Sequence, residues 1–304
     1  MKPYYIQFIL IANLLIISPA FAQNANPKIK NVYDNFETAL QLKDVEQLNL
    51  RDQNLFLIPE KIEALHKLTF LNLMRNHIEI WNPSLFKLKR LEVVNLKQNS
   101  LSYVPSDLGK LQNLVRLDLA ANKITSVPET IGNLDKLQFL HLSLNSITSL
   151  PETLGRCKSL EILDLQGNQL NDLPVSISQL QQLKKLNLGY NQFYELEEAW
   201  IQLPNLEELN LEYNQLKKLP KGIAQLKQLK TLILHHNNLT TLPDTITNLS
   251  NLELLILSDN QLQKLPLQIK NLRHLKTLIL RGNRLSKTEL EKIKKILPNC
   301  KVYS

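Results

Sequence analysis

The sequence predicts an α/β solenoid, a stack of eleven short coils that share one parallel sheet. Two observations carry this expectation. Residues 45–285 repeat at a constant step of 23, most visibly in the column Asn76, Asn99, Asn122, Asn145, Asn168, Asn191, Asn214, Asn237, Asn260 and Asn283, with Gln53 at its head. Inside each step a segment such as Arg116-Leu117-Asp118-Leu119 alternates polar with apolar residues. Period two is the mark of a strand with one buried face. No insertion or deletion interrupts the eleven steps. A unit this short cannot hide its own apolar side, so the units must stack to share a core.

The first 22 residues stand outside that stack. Lys2 gives a positive start, Ile6 to Ile17 form an apolar run interrupted by Asn13, and Ser18-Pro19 breaks it before Ala20-Phe21-Ala22. About 20 apolar residues are needed to span a bilayer, and this run is shorter. Residues 1–22 therefore read as a secretory signal cleaved before Gln23. No cysteine follows the small residues to carry a lipid, and no second long apolar run occurs. The mature chain is expected to be soluble and not membrane-spanning.

Residues 23–44 read as an N-terminal capping helix, with Ile29, Val32, Tyr33, Phe36 and Leu40 at helical spacing. In the coils that follow, Leu48, Leu71, Val94 and Leu117 point inward, as do Leu50, Leu73, Leu96 and Leu119. The asparagine amide both donates and accepts, so a stacked column can satisfy turn backbone that would otherwise be buried unpaired. An apolar residue and proline follow, as in Leu150-Pro151 and Leu173-Pro174. Proline ends the strand and sends the chain to the outer side. From there Ile131, Ile177 and Ile223, then Leu134, Leu180 and Leu226, face the core again. Residues 286–304 form the second cap. Ser286 to Glu289 is a capping box, Leu290, Ile293 and Leu297 line one helix face, and the tail around Val302 is expected to add a short strand.

This frame, LxxLxLxxNxLxxLPxxIxxLxx, resembles the leucine-rich-repeat family, above all the proline-bearing repeats of bacterial proteins and of Ras-group plant and animal repeat proteins. The resemblance covers residues 45–285 and both caps. It implies a right-handed curved horseshoe, with the parallel sheet on the concave face and a helical or irregular convex side. It also implies a role in recognising proteins or other ligands. Exported plant and animal members commonly have cysteine-paired caps. This chain lacks them, which favours a bacterial, periplasmic or surface setting.

Its two cysteines, Cys157 and Cys300, lie about six coils apart, near ~30 Å at the spacing of adjacent strands and far beyond disulfide reach. Cys157 occupies a leucine position and reads as a small core residue. The net charge is +8, but the lysines are scattered among glutamates. That describes a solvated face, and no nucleic-acid partner is expected. Glu161, Lys184, Glu207, Lys230, Glu253 and Lys276 follow one another in a single column, so opposite signs face across five strand pairs. This column is expected to guard the register.

No catalytic constellation is evident. The chain lacks a GxxxxGK phosphate loop, an HExxH pair and a nucleophile elbow. Carboxylate pairs such as Glu207-Glu208 sit where nothing would raise a pKa for acid catalysis. His235 and His236, with Asp259 one coil beyond, fall short of the converging ligand set that zinc requires. Neither a cofactor nor a metal is expected, and the chain reads as a non-enzyme.

The outward columns of the sheet point to a partner. The central one runs Asn49, Asn72, Asn95, Asp118, His141, Asp164, Asn187 and Asn210, then turns apolar at Ile233, Ile256 and Ile279, with Leu254 beside them. Adjacent exposed apolar side chains mark a contact site, although strand propensity or shielding by the C-terminal cap would also account for them. One column further, Tyr190, Tyr213 and His236 succeed one another, with Tyr194 just beyond and His235 alongside. Amphipathic aromatics suit interfaces. A weaker second cluster joins Phe70, Val93, Phe139 and Ile162 around Arg116. The reading is an exported, non-enzymatic module that binds a protein through its concave face. The alternative is a cell-envelope adhesin or structural protein meeting glycans, with the Asn49-to-Asn210 column supplying the polar half. Nothing in the sequence sets the oligomeric state.

Overall fold

The structure, a computed structural model, describes residues 31–42 and 44–304. The expected signal at 1–22, and residues 23–30 of the expected cap, lie outside the described residues. The chain begins with β1 (Val32–Tyr33) and α1 (Phe36–Leu42). Eleven three-residue strands follow: β2 (Gln47–Asn49), β3 (Phe70–Asn72), β4 (Val93–Asn95), β5 (Arg116–Asp118), β6 (Phe139–His141), β7 (Ile162–Asp164), β8 (Lys185–Asn187), β9 (Glu208–Asn210), β10 (Thr231–Ile233), β11 (Leu254–Ile256) and β12 (Thr277–Ile279). The chain ends with α2 (Lys287–Ile296) and β13 (Lys301–Tyr303). These strands form one 13-stranded sheet in sequence order. Neighbours are parallel, and within the coils the register steps by one repeat, as in Leu163↔Leu186. Short 3-10 turns, from Glu60–Ala64 to Leu267–Asn271, make the opposite, convex side.

The asparagine column ties the coils together. Asn168 donates from Nδ2 to the carbonyls of Leu165 (2.9 Å) and of Leu142 in the coil before (3.0 Å), and its Oδ1 accepts from Ile147 N–H (3.0 Å). Asn191, Asn214, Asn237 and Asn260 repeat this arrangement, each buried. One amide thus satisfies three backbone groups from two coils, groups that burial would otherwise leave costly. Gln53 does not start the ladder, because its amide reaches out to the carbonyl of Asp34.

The inward leucines are fully buried in one continuous cluster. Each contributes roughly 1.5–3 kcal/mol by leaving water. Both cysteines are free. Cys157 packs in this core, where burial pushes its thiol up to about 12. Trp200 fills the inward isoleucine place and is fully buried. Trp81 is also buried, its indole N–H donating to the Tyr103 carbonyl at 2.8 Å. On the convex side the coils approach closely. A Cβ added to Gly132 would lie 2.5 Å from the Thr153 carbonyl oxygen, so that joint requires glycine.

One expectation changes at the N-terminal edge. Val32 and Tyr33 are not helical but form β1, pairing Val32↔Gln47 and Tyr33↔Leu48. The strand supplies partners to β2, whose edge the first coil alone would leave bare. The helix begins only at Phe36, after Asn35 Oδ1 accepts from Thr38 N–H at 2.9 Å, an N-cap. At the other end Ser286 Oγ accepts from Glu289 N–H at 3.1 Å, and β13 pairs with β12. The alternating charge column resolves into three couples, Lys184–Glu161 (2.8 Å), Lys230–Glu207 (2.8 Å) and Lys276–Glu253 (2.6 Å). Each ammonium reaches back to the carboxylate of the preceding coil. Exposed pairs of this kind are worth under about 1 kcal/mol.

Replacing Asn168 by alanine strands two carbonyls and an amide in the interior. Urea unfolding is expected to show a loss of about 1–3 kcal/mol. Unchanged stability would show that the ladder does not hold the coils.

Candidate binding surface

The turn after each of β2 to β12 passes through a left-handed residue at the same place, and in Asp52, Arg75, Gln98, Ala121, Leu144, Tyr190, Tyr213, His236 and Asp259 that residue is not glycine; the first coil has a second one, Asn54. A positive φ is costly for side chains of this size. Here it is held by backbone bonds to the next coil, such as Tyr190 N–H to Glu212 O (2.9 Å) and Tyr213 N–H to His235 O (2.9 Å). The turn therefore presents one side chain per coil at a fixed spacing.

At three successive coils that side chain is a ring. Tyr190 and Tyr213 stack with centroids 4.2 Å apart and planes 15° apart, and Tyr213 and His236 stack at 4.1 Å and 22°. His236 Nε2 lies 3.3 Å from Asp259 Oδ2, which closes the ladder with a carboxylate. Tyr190 and Tyr194 are 45% and 50% exposed, and Lys217 Nζ sits 4.8 Å from the centre of the Tyr194 ring. His235 turns edge-on to Tyr213 (79°), and its Nε2 lies 2.8 Å from Glu212 Oε2. The two histidines serve different carboxylates. Among the described residues no group of three or more His, Cys, Asp or Glu side chains could hold a metal.

Glu212 was not anticipated from the sequence, yet it organises this corner. Burial works to raise its pKa, but hydrogen bonds from His235 and Asn210 and the nearby histidine charges outweigh burial and hold it below 4.5. Its Oε1 accepts from Asn210 Nδ2 at 3.1 Å.

The isoleucine expectation requires correction. Ile233, Ile256 and Ile279 are only 8%, 7% and 5% exposed, and they pack as a small cluster of their own with half-buried Leu254 against it. On the inner side of a curved sheet successive strands crowd together, and β-branched side chains one strand apart seal one another. They form a floor beside the rings, not an open patch. An aspartate at 256 would bury a charge, so it cannot serve as a clean probe of partner contact.

The polar column also has a local structural role. In Asn49, Asn72, Asn95, Asp118, Asp164, Asn187 and Asn210 the side-chain Oδ1 accepts from the backbone N–H two residues on, at 2.9–3.4 Å. These are Asx turns that close each strand. Asn72, Asn95 and Asp118 are buried as well, so these three offer little open surface to a ligand.

Other exposed apolar groups were missed. Leu57, Ile80 and Tyr103 occupy one column in the first three coils, with Phe56 stacked on His77 at 5.3 Å, and Leu144 is exposed at the turn two coils before Tyr190. The signal was there in the column just before the apolar-proline pair, which is polar in the coils that follow. At coil seven, where Glu197 replaces proline, the 3-10 turn shrinks to Glu198–Trp200, beside a shallow depression of ≈ 520 Å³ bordered by Glu195, Lys218 and Pro220.

The leucine-rich-repeat profile matches residues 112–170, 181–239 and 227–285. A leucine-rich-repeat protein of Leptospira interrogans is 33% identical, with 89% of this chain and 86% of that one covered and a TM-score of 0.54. An internalin of Listeria monocytogenes shares the fold at 23% identity, covering 87% and 75%, with a TM-score of 0.76. The ectodomain of the Arabidopsis thaliana membrane receptor kinase GASSHO1/SCHENGEN3, solved in complex with Casparian strip integrity factor 2, is 26% identical over 87% of this chain and 38% of that one, with a TM-score of 0.67. No curated protein matches the sequence.

The lowered Glu212 pKa makes a pH prediction. Between 4.5 and its folded value the folded carboxyl binds fewer protons than the unfolded one, so stability falls as pH drops through that window. Unfolding midpoints measured from pH 6 to 3 should slope less steeply in Glu212→Gln than in the native chain, and equal slopes would show that His235 and Asn210 do not stabilise the charge.

Proposed function

This chain belongs to the leucine-rich-repeat family, and from that premise we propose that it is an exported, non-enzymatic module that recognises a protein partner through its concave face. Leucine-rich-repeat domains bind protein partners, and the plant receptor ectodomain described above is one solved with its ligand. The observation that carries the reading is the ladder Tyr190–Tyr213–His236, with Tyr194 beside it. Backbone turns and mutual stacking hold these rings, so binding would freeze little side-chain entropy. Rigid aromatics with polar tips are the residues that dominate protein interfaces. His235 and Glu212 support the rings from behind, and the Ile233, Ile256, Ile279 and Leu254 floor gives an apolar margin.

The same geometry argues against the glycan alternative. A sugar ring binds by laying its C–H face on an open aromatic face. Tyr213 has a ring on each side, at 4.2 and 4.1 Å, and presents its edge instead. In the polar column that would meet hydroxyls, Asn72, Asn95 and Asp118 are buried. An exported setting belongs to the same reading. It is supported by the receptor ectodomain and by the signal-like start of the sequence. No helix among the described residues is long and apolar enough to cross a membrane.

Residues 23–304 used as bait against the exported fraction should retain a protein, and Tyr213→Ala should weaken its capture by tenfold or more, about the 1.4 kcal/mol or greater expected of a central aromatic. Gln225→Ala, in the convex 3-10 turn Lys221–Gln225, should leave capture unchanged. Retention unaffected by Tyr213→Ala, or abolished by free oligosaccharides, would overturn the reading.

A further inference from the structure

The N-terminal half of the concave face holds a second cluster, on β5 to β7, that the ring ladder does not use. Arg116 alternates with the inward Leu117 and so faces the concave side, between Val93 and Phe139 of the flanking strands. It is only 2% exposed. Its Nη1 lies 3.0 Å from His141 Nε2, and its guanidinium carbon lies 4.3 Å from the centre of the Phe139 ring. His141 Nδ1 in turn lies 3.9 Å from Asp164 Oδ2. The guanidinium is thus fixed on one edge by histidine and on one face by an aromatic ring.

Its other edge is bare. Nε and Nη2 are both buried and neither has a hydrogen-bond partner. The pairing of these two atoms matters. Nη2 is the terminal nitrogen trans to Cδ, so one of its N–H bonds runs parallel to Nε–H. Together they form the fork that matches two oxygens of a single oxyanion. Burial lowers the Arg116 pKa, with the nearby Asp118 carboxylate opposing it. A charged fork withdrawn from water without an acceptor is unfavourable, and buried polar groups in folded proteins are as a rule paired. Among the described elements, β5 is flanked in the sheet by β4 and β6 alone.

We propose that Arg116 is a carboxylate-binding site, with Nε and Nη2 each donating to one oxygen of a ligand carboxylate laid along the concave face. His141 holds the guanidinium in place as a positioning residue. The local charge favours a carboxylate over phosphate. Arg116 is already accompanied by Asp118 and Asp164, so one further negative charge is tolerated better than two. Val93, Phe139 and Ile162, half-buried in the same column, give apolar surface to the carbon chain that carries the carboxylate. This site stands apart from the tyrosine surface, and the proposal does not depend on it.

The test is titration of the full chain, ¹⁵N-labelled, with acetate alone and with inorganic phosphate alone, at constant pH and ionic strength. The Nε–Hε signal of Arg116, identified by its loss in Arg116→Lys, should move saturably with acetate and respond less to phosphate. The His141 ring signals report the same event and remain readable in the variant. By that readout Arg116→Lys, which keeps the charge but loses the fork, should weaken acetate binding by roughly tenfold, the effect of losing one charge-assisted hydrogen bond. His141→Gln, whose amide oxygen can still accept from Nη1, should retain binding by the Arg116 signal. Unfolding midpoints confirm that both variants fold. A response that never saturates, equal affinity in Arg116→Lys, or tighter binding of phosphate than acetate would overturn the assignment.

Discussion

The asparagine amide at the strand-to-turn corner is the constraint on which the rest of the molecule depends. By bonding carbonyls of its own coil and of the coil before, and by accepting an amide from that earlier coil, it sets both the turn and the distance to the neighbour. A turn held this way can pass through a left-handed residue without requiring glycine. That tolerance is what allows tyrosine and histidine to stand where conformation alone would prefer glycine or asparagine, and the regular coil spacing is what lets their rings stack. The core leucines supply most of the stabilisation, while the asparagines decide where each coil lies.

The concave face divides into regions of different chemistry because one column changes character. Through Asn210 the central residues close their own turns, and these strands keep a polar, self-satisfied surface interrupted at Arg116 and His141. From Ile233 onward that acceptor is replaced by a β-branched side chain, and the strands close on one another through apolar contact. The ring ladder lies at the join, on the turns of β8, β9 and β10, where Glu212 is buried among polar partners and kept ionised by them.

Much of this was legible in the sequence, and the remainder has physical reasons for not being so. The parallel sheet, its register, the inward leucines and the Ser286 cap follow from periodicity and local hydrogen-bond chemistry, which depend on near neighbours. Val32 and Tyr33 misled because two residues have no period, and an apolar pair suits a helix face as well as an edge strand. The isoleucine column reads as exposed because alternation gives direction and not burial, which depends on how closely curvature brings successive strands together. That Tyr190, Tyr213 and His236 succeed one another follows from the 23-residue step. That two ring planes would cover both faces of Tyr213 requires side-chain torsions no sequence pattern supplies. Glu212 and the bare fork of Arg116 escaped for a similar reason, since partners spread over several coils decide the state of each. The charge column showed a limit of another kind: alternation makes five pairings available, but one ammonium settles on one carboxylate.

The unbroken 23-residue step also works as a ruler. Every coil has the same length, so any two features on the inner wall are separated by a whole number of strand spacings, about 4.8 Å each. Arg116 and Tyr190 belong to coils three steps apart. Duplication or loss of one unit between them would lengthen or shorten that span by a single increment while leaving the strand pairing at each end intact, because each strand pairs only with its neighbours. A lineage could in this way retune the reach between two anchoring points without rebuilding either one.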